Sequence, residues 1–180
     1  RDFVELPSQM LEEWLTDKDI LKMVSCHYKT GEPLDDETID KIIELKNNGS
    51  GTFLQRQIWL SVVSLTFHQF AHQQDLYTLF KNAYEEYVNT TAFDTENHLY
   101  ANFGHLCGYD AKYYGYMWSK VFALDIFEQI KEAGLLNPTI GCKYTQTILC
   151  KGGTKDPNFL LEDFLGRKPE NLAFLKNMGL

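Results

Sequence analysis

The chain has 180 residues, enough for one compact domain with a core of its own and too few for two comfortable ones. Its 44% hydrophobic and 23% charged residues are those of an ordinary soluble protein, away from the disordered and membrane classes. A formal charge of -8 without any basic stripe argues against a nucleic-acid partner, and no apolar run approaches the roughly 20 residues that cross a bilayer.

The opening residues Arg1-Asp2-Phe3-Val4-Glu5 contain neither a basic region nor an apolar one, so no signal peptide is expected there. The absence of an initiator Met reads as a chain that starts inside a longer polypeptide. Cys26, Cys107, Cys142 and Cys150 are far apart and fit neither a zinc spacing nor a dense disulfide framework. They are expected to be reduced and structural.

In chain order, the first helix is expected to open around Pro7, with Met10, Leu11, Trp14 and Leu15 at helical spacing. A short helix after Asp19 turns Ile20, Leu21 and Val24 inward and stops before Thr30-Gly31-Glu32-Pro33. Asp35 or Asp36 caps the next, which carries Ile39, Ile42 and Ile43 and is broken by Asn47-Asn48-Gly49-Ser50-Gly51. Thr52-Phe53-Leu54-Gln55 has the form of a capping box. Behind it Ile58, Trp59, Leu60, Val62, Val63, Leu65 and Phe67 make a helix apolar nearly all round, which predicts burial on most sides. Another begins near Asp75 and buries Leu76, Leu79, Phe80, Ala83, Tyr84 and Tyr87.

A polar stretch over residues 89–102 leads to a Gly- and Tyr-rich segment and then to the longest helix, which ends at Gly134. At about 24 residues that helix would be roughly 36 Å long. Three shorter helices close the chain, two of them opened by Asn137-Pro138 and Asp156-Pro157 and the last following Pro169 and ending before Gly179. No alternating strand pattern of convincing length and no internal repeat is present, so the fold class is all-α.

Chemistry concentrates in Gly104-His105-Leu106-Cys107-Gly108-Tyr109-Asp110-Ala111-Lys112-Tyr113-Tyr114-Gly115-Tyr116-Met117-Trp118. On a helix Tyr109, Tyr113 and Tyr116 fall at i, i+4 and i+7 and project from one face. Neutral phenols there suit a peptide carbonyl or a developing oxyanion, and the glycines allow close approach of a ligand. The same stripe also suits a plain helix–helix contact. Taken alone, Glu5 near a helix start reads as a dipole-stabilising residue. The pair in His68-Gln69-Phe70-Ala71-His72 has the i, i+4 spacing of two metal ligands, but Gln69 cannot serve as a base, and surface or partly buried histidines are the better reading.

Several blocks together resemble the thimet oligopeptidase and neurolysin family. They are Asp2-Phe3-Val4-Glu5-Leu6-Pro7-Ser8-Gln9-Met10-Leu11-Glu12, His27-Tyr28-Lys29-Thr30-Gly31, residues 103–118, the Gly152-Gly153 pair after Ile148-Leu149, and Phe164-Leu165-Gly166-Arg167. The likeness runs from the first residue to the last and corresponds to the final quarter of a full-length member. A single glycine, Gly108, between His105 and Tyr109 is closer to mitochondrial intermediate peptidases, which are relatives.

The resemblance implies a zinc metalloendopeptidase that cleaves short peptides in a deep channel between two helical lobes. Residues 1–180 would then be the C-terminal portion of its catalytic domain, one multi-helix lobe of a zincin-type fold. One zinc ion is implied, held by two histidines of an HExxH helix and by a glutamate that Glu5 matches, with a fourth position left for water. It makes His105, Tyr109 and Tyr116 catalytic, and places Tyr113 with them in binding the substrate backbone. No HExxH occurs in the chain, so the fragment alone is expected to be inactive, to bind zinc weakly and to need the missing N-terminal part as partner. The expected compartment is the cytosol, with mitochondria as the alternative. The rival to this reading is a non-catalytic α-helical module that binds through the apolar surface where the missing lobe would have packed.

Overall fold

Helices of four to seven residues are too short to persist alone in water, so those found here depend on what they pack against. A computed structural model describes residues 2–70, 72 and 75–180. Its helices are α1 (Leu6–Glu12), α2 (Lys18–Val24), α3 (Asp36–Leu45), α4 (Ser50–Phe70), α5 (Leu76–Tyr87), α6 (His105–Gly108), α7 (Gly115–Ala133), α8 (Pro138–Tyr144), α9 (Pro157–Leu165) and α10 (Leu172–Asn177). Short 3-10 segments and one π-helical turn, Thr145–Leu149, complete the secondary structure, and no strand occurs among the described residues. The class is all-α.

Small polar side chains start these helices by satisfying backbone donors that have no partner inside the helix. Asp35 accepts from the amide of Thr38, Asp75 from Thr78, Asn137 from Thr139 and Asp156 from Asn158, as their positions predict. The cap of α2 is Asp17, two residues earlier than Asp19, and it accepts from the amides of Asp19 and Ile20. Gly134, at φ +100, follows α7 in the backbone conformation that glycine adopts freely.

Two helix starts differ from expectation. Helix α4 begins at Ser50, and the Gly49 carbonyl already accepts from the amide of Phe53 at 3.0 Å, so Thr52 lies inside the helix and forms no capping box. Gln55 instead donates to the Asn89 side chain at 2.6 Å and accepts from the Thr90 hydroxyl at 3.2 Å. Helix α7 begins only at Gly115 and has 19 residues, about 28 Å at the usual rise, because residues 109–114 lie in turns and coil.

The chain forms two compact units, where its length had suggested one. The first comprises the leading Arg1–Asp2 pair and Gly49–Trp118. In its core Trp59, Leu60, Val63 and Phe67 of α4 meet Leu79, Phe80 and Ala83 of α5, with Phe103 and Tyr113. Trp59 packs against Phe80 and Tyr84, each at a ring separation of 5.0 Å. Helix α4 is less enclosed than its composition predicts, since Phe53, Ile58, Leu65 and Phe70 are exposed.

The second unit comprises Phe3–Asn48 and Ser119–Leu180. Leu6 and Met10 of α1, Ala123, Ile126 and Ile130 of α7, and Leu160, Leu161 and Phe164 of α9 fill its core. Val24, expected to face inward, is exposed, as are Leu11, Leu15 and Ile42. All four cysteines are free and exposed, so the expectation of structural thiols does not hold.

Two buried carboxylates tie this unit together. Glu13, 3% exposed, accepts from Lys46 at 2.5 Å and Lys120 at 2.6 Å, joining the end of α1 to the end of α3 and to α7. Asp125 of α7, also 3% exposed, takes both arms of the Arg167 guanidinium, at 3.0 and 2.6 Å, and the amide of Glu170 at 2.8 Å. Gly166, left-handed at φ +72, ends α9 and leads directly into that contact.

Burial pushes the Glu13 carboxyl up, but hydrogen bonds and charge attraction from Lys120 and Lys46 outweigh it and hold the group below the usual carboxylate range. A carboxylate depressed on folding stabilises the protein above its unfolded value, about 4.3, and loses that contribution as pH falls through the folded value. Glu13→Gln is therefore expected to cost on the order of 3 kcal/mol near neutral pH, because two partly buried lysines lose their counter-charge. Urea unfolding followed from pH 7 to pH 3 should show the gap between wild type and variant narrowing on the acid side. An equal gap at every pH would show that the charge on Glu13 does not carry the effect.

Candidate functional site

The first unit brings one histidine and three tyrosines into mutual contact. His105 opens α6, a single turn whose end is marked by the Tyr109 amide donating to the His105 carbonyl at 2.8 Å. The chain then turns through Asp110, at φ +50 the only non-glycine among the described residues with positive φ. Tyr113 and Tyr114 follow, and Tyr116 lies in the first turn of α7.

The rings touch as a cluster rather than as a stripe on one helix. His105 lies 5.5 Å from Tyr109, 5.0 Å from Tyr113 and 5.7 Å from Tyr116, centroid to centroid. Tyr109 stacks on Tyr116 at 5.4 Å with 21° between planes, and Tyr113 sits 5.1 Å from Tyr116. His105 Nε2 and the Tyr116 hydroxyl share a hydrogen bond of 3.1 Å. The expected helix through Tyr109 and Tyr113 is absent, yet the rings converge because the backbone turn folds them together.

Tyr113 differs from the other two. It is 8% exposed, packs edge-on against Phe103 at 5.2 Å and bonds to the Gln57 side chain. Burial raises its phenol above the ordinary value, with the Gln57 bond working against that rise, so it stays neutral at physiological pH. Tyr114 donates to Asp2 at 3.4 Å; its phenol is also raised, by burial first and then by the Asp2 charge.

A cleft of about 480 Å³ opens beside the cluster, lined by Leu60, Leu99, Phe103, Gly104, His105, Gly108, Tyr109 and Tyr113 together with Arg56 and Asn102. Arg56 and Asn102 went unrecognised in the sequence. The available signal was an isolated cation on the apolar helix α4, where the Arg56 guanidinium also lies 5.9 Å from the Trp59 ring. Neutral hydroxyls, an imidazole and a guanidinium beside an apolar wall can hold a chain of carbonyl groups.

Glu5 belongs to the other unit. It stands at the start of α1, which has Pro7 in its first turn, but the Glu5 side chain makes no capping bond. Its carbonyl accepts from Gln9 N and Ser8 Oγ, both at 3.0 Å, and Ser8 Oγ lies 3.4 Å from Glu5 Oε2. Glu5 is half-buried. At the His68–His72 pair, His68 Nδ1 is engaged 2.7 Å from the Ser64 carbonyl, and Ala71 between the two histidines lies outside the described residues. Among the described residues no group of three or more His, Cys, Asp and Glu is arranged to hold a metal.

A helical chain with a hydrogen-bonding cleft of this kind defines a binding wall for a polar ligand. The chain belongs to peptidase family M3, whose model matches residues 1–180. It is 36% identical to saccharolysin of Saccharomyces cerevisiae over 183 aligned residues, covering 99% of this chain and 26% of that protein. It is 35% identical to oligopeptidase A of Salmonella typhimurium, covering 99% of this chain and 27% of the relative. Mitochondrial intermediate peptidase of Eremothecium gossypii is 30% identical over 86% of the chain and 20% of its own length. The chain thus spans about a quarter of the length of these curated relatives.

The glycines of the cleft give a test of its role. A Cβ on Gly104 or Gly108 would meet nothing within 4 Å, and neither residue has a positive φ, so the fold does not demand glycine at either place. Both nevertheless line the cleft. Gly108→Ala is expected to leave thermal stability unchanged or raise it by up to about 1 kcal/mol, while weakening the binding of any ligand the cleft takes, a short peptide being the probe. Melting curves and peptide titrations of the same variant separate the two; lost stability with unchanged binding would make Gly108 a structural residue.

Proposed function

We propose that this chain is the C-terminal part of the catalytic domain of a zinc-dependent endopeptidase acting on short peptides, and that it supplies one metal ligand and one substrate-binding wall. The observation that carries this reading is the His105–Tyr116 hydrogen bond, with Tyr109 stacked on Tyr116 at the edge of an open cleft. Membership of peptidase family M3 supports it, as do relatives whose names describe oligopeptidases. A cytosolic location is proposed with it, and relatives named as cytosolic and as chloroplastic or mitochondrial bear on that choice.

Glu5 fits one place in a zinc site: a half-buried carboxylate at the start of α1, with the Ser8 hydroxyl near one of its oxygens. The remaining ligands would come from outside this chain, since among the described residues no group of three or more His, Cys, Asp and Glu is arranged to hold a metal. When bound, zinc supplies Lewis-acid polarisation at the amide under attack.

The chain's own residues bind and stabilise. A substrate backbone entering the cleft presents carbonyl oxygens to Tyr109 and to the Arg56 guanidinium. When His105 Nε2 carries the proton it donates to the Tyr116 oxygen, which leaves the phenolic O–H to donate onward to a carbonyl oxygen as negative charge gathers there. Tyr113, buried behind them, holds the imidazole edge-on and excludes water from one side.

In the longer polypeptide, Tyr116→Phe is expected to lower kcat for a short peptide on the order of 10²-fold, the size seen when one oxyanion donor is removed, with a smaller change in KM. Steady-state kinetics of the pair decide it; a rise in KM with kcat intact would make Tyr116 a ground-state binding group. The isolated chain is expected to bind zinc weakly and to cleave no peptide. Tight stoichiometric zinc on the chain alone, found by metal analysis after dialysis, would overturn the proposed division of the site.

A further inference from the structure

A serine inside a helix usually turns its hydroxyl back to the carbonyl four residues earlier. Ser61 of α4 does this, donating to Gln57 at 2.7 Å. Ser64, three residues on and with no exposed surface, instead donates across the unit to the Asp110 carbonyl at 2.5 Å. The residue it holds is the one non-glycine at positive φ among those described. Side chains with a Cβ disfavour that backbone conformation, and aspartate tolerates it better than most.

The reversal at Asp110 has a geometric consequence. Were residues 109–116 one continuous helix, Tyr109 and Tyr116 would stand seven residues and about 10 Å apart along its axis. Their rings are stacked with centroids 5.4 Å apart, closer than that spacing along a helix, and the chain leaves helical conformation between them. Asp110 is where it does so, and the Ser64 hydroxyl is a bond from a packed helix onto that point.

We infer that Ser64 is a positioning residue: its hydroxyl latches the left-handed turn at Asp110 and thereby sets the stacking of Tyr109 on Tyr116 beside His105. Ser64 lines no part of the cleft and acts only through the turn. The consequence for substrate rests on the peptidase reading above; the latch itself does not.

The experiment is side-chain NMR of the full chain with labelled tyrosine and histidine rings. In wild type a through-space cross-peak is expected to connect the Tyr109 and Tyr116 rings. Ser64→Ala is expected to abolish it and to shift the Tyr109, Tyr116 and His105 ring signals, while Tyr84 stays in place against Trp59. Ser64→Ala combined with Asp110→Gly is expected to regain most of the cross-peak, because glycine adopts the turn without the latch. Asp110→Val, at an exposed position where a branched side chain opposes the turn, is expected to reproduce the loss and decides the matter if Ser64→Ala does not fold. An unchanged cross-peak in Ser64→Ala or Asp110→Val, or no recovery in the double variant, overturns the latch. Titration with millimolar blocked tetra-alanine peptide separates the two ideas. Ring shifts that respond to peptide in wild type and about tenfold more weakly in Ser64→Ala support both, and a wild type that ignores the peptide overturns the reading of the cleft while the cross-peak still decides the latch.

Discussion

Helix α7 is the post to which the second unit is tied, and it holds its ties through buried charge. Lys120 reaches Glu13, and Asp125 holds Arg167 and the amide of Glu170, so segments more than a hundred residues apart in the chain converge on neighbouring turns of one helix. Replaced by well-packed apolar groups, such pairs would cost little stability; left half-made, they cost a great deal. That asymmetry makes them specific. A chain that docks α1 or the segment after α9 in a wrong register leaves a carboxylate buried without its cation, whereas a leucine displaced by one turn still finds apolar neighbours.

The same helix begins in the other unit, where its first turn carries Tyr116. There the controlling feature is a strained turn. A helix through residues 109–116 would have satisfied every backbone group and spaced the phenols evenly along one side. The chain takes the costlier course, with Asp110 in a conformation that side chains disfavour, and a stacked tyrosine pair around an imidazole results. Strain of this kind persists only where the surroundings over-determine it. The aromatic packing of His105, Tyr113 and Phe103 and the buried hydroxyl of Ser64 supply that determination.

How much was legible beforehand follows the range of the forces. Helix starts at Asp35, Asp75, Asn137 and Asp156 were readable because a capping bond spans only two or three residues. Gly134 marked the end of α7 for an equally local reason. The capping box at Thr52 failed because the chain at Gly49 offered an earlier start, and Gln55 was drawn off by Asn89 and Thr90 from far along the sequence. Val24 reads as inward by spacing alone and is exposed, because spacing cannot say whether a partner exists for that face.

For the candidate site, composition marked the segment and resemblance marked His105, Tyr109, Tyr113, Tyr116 and Glu5. The sequence by itself determined the helical class, the helix caps and the membership in peptidase family M3, because all of these are written in residue types and short spacings. Only the tertiary structure decided that the tyrosines cluster through a turn instead of a helix, that Tyr113 is buried while Tyr109 is partly exposed, and that Arg56 shares the cleft they line. Those outcomes depend on a bond from Ser64 to a residue 46 positions away and on rings packed from separate elements. No local pattern encodes such contacts, because their energy exists only once the distant partners are in place.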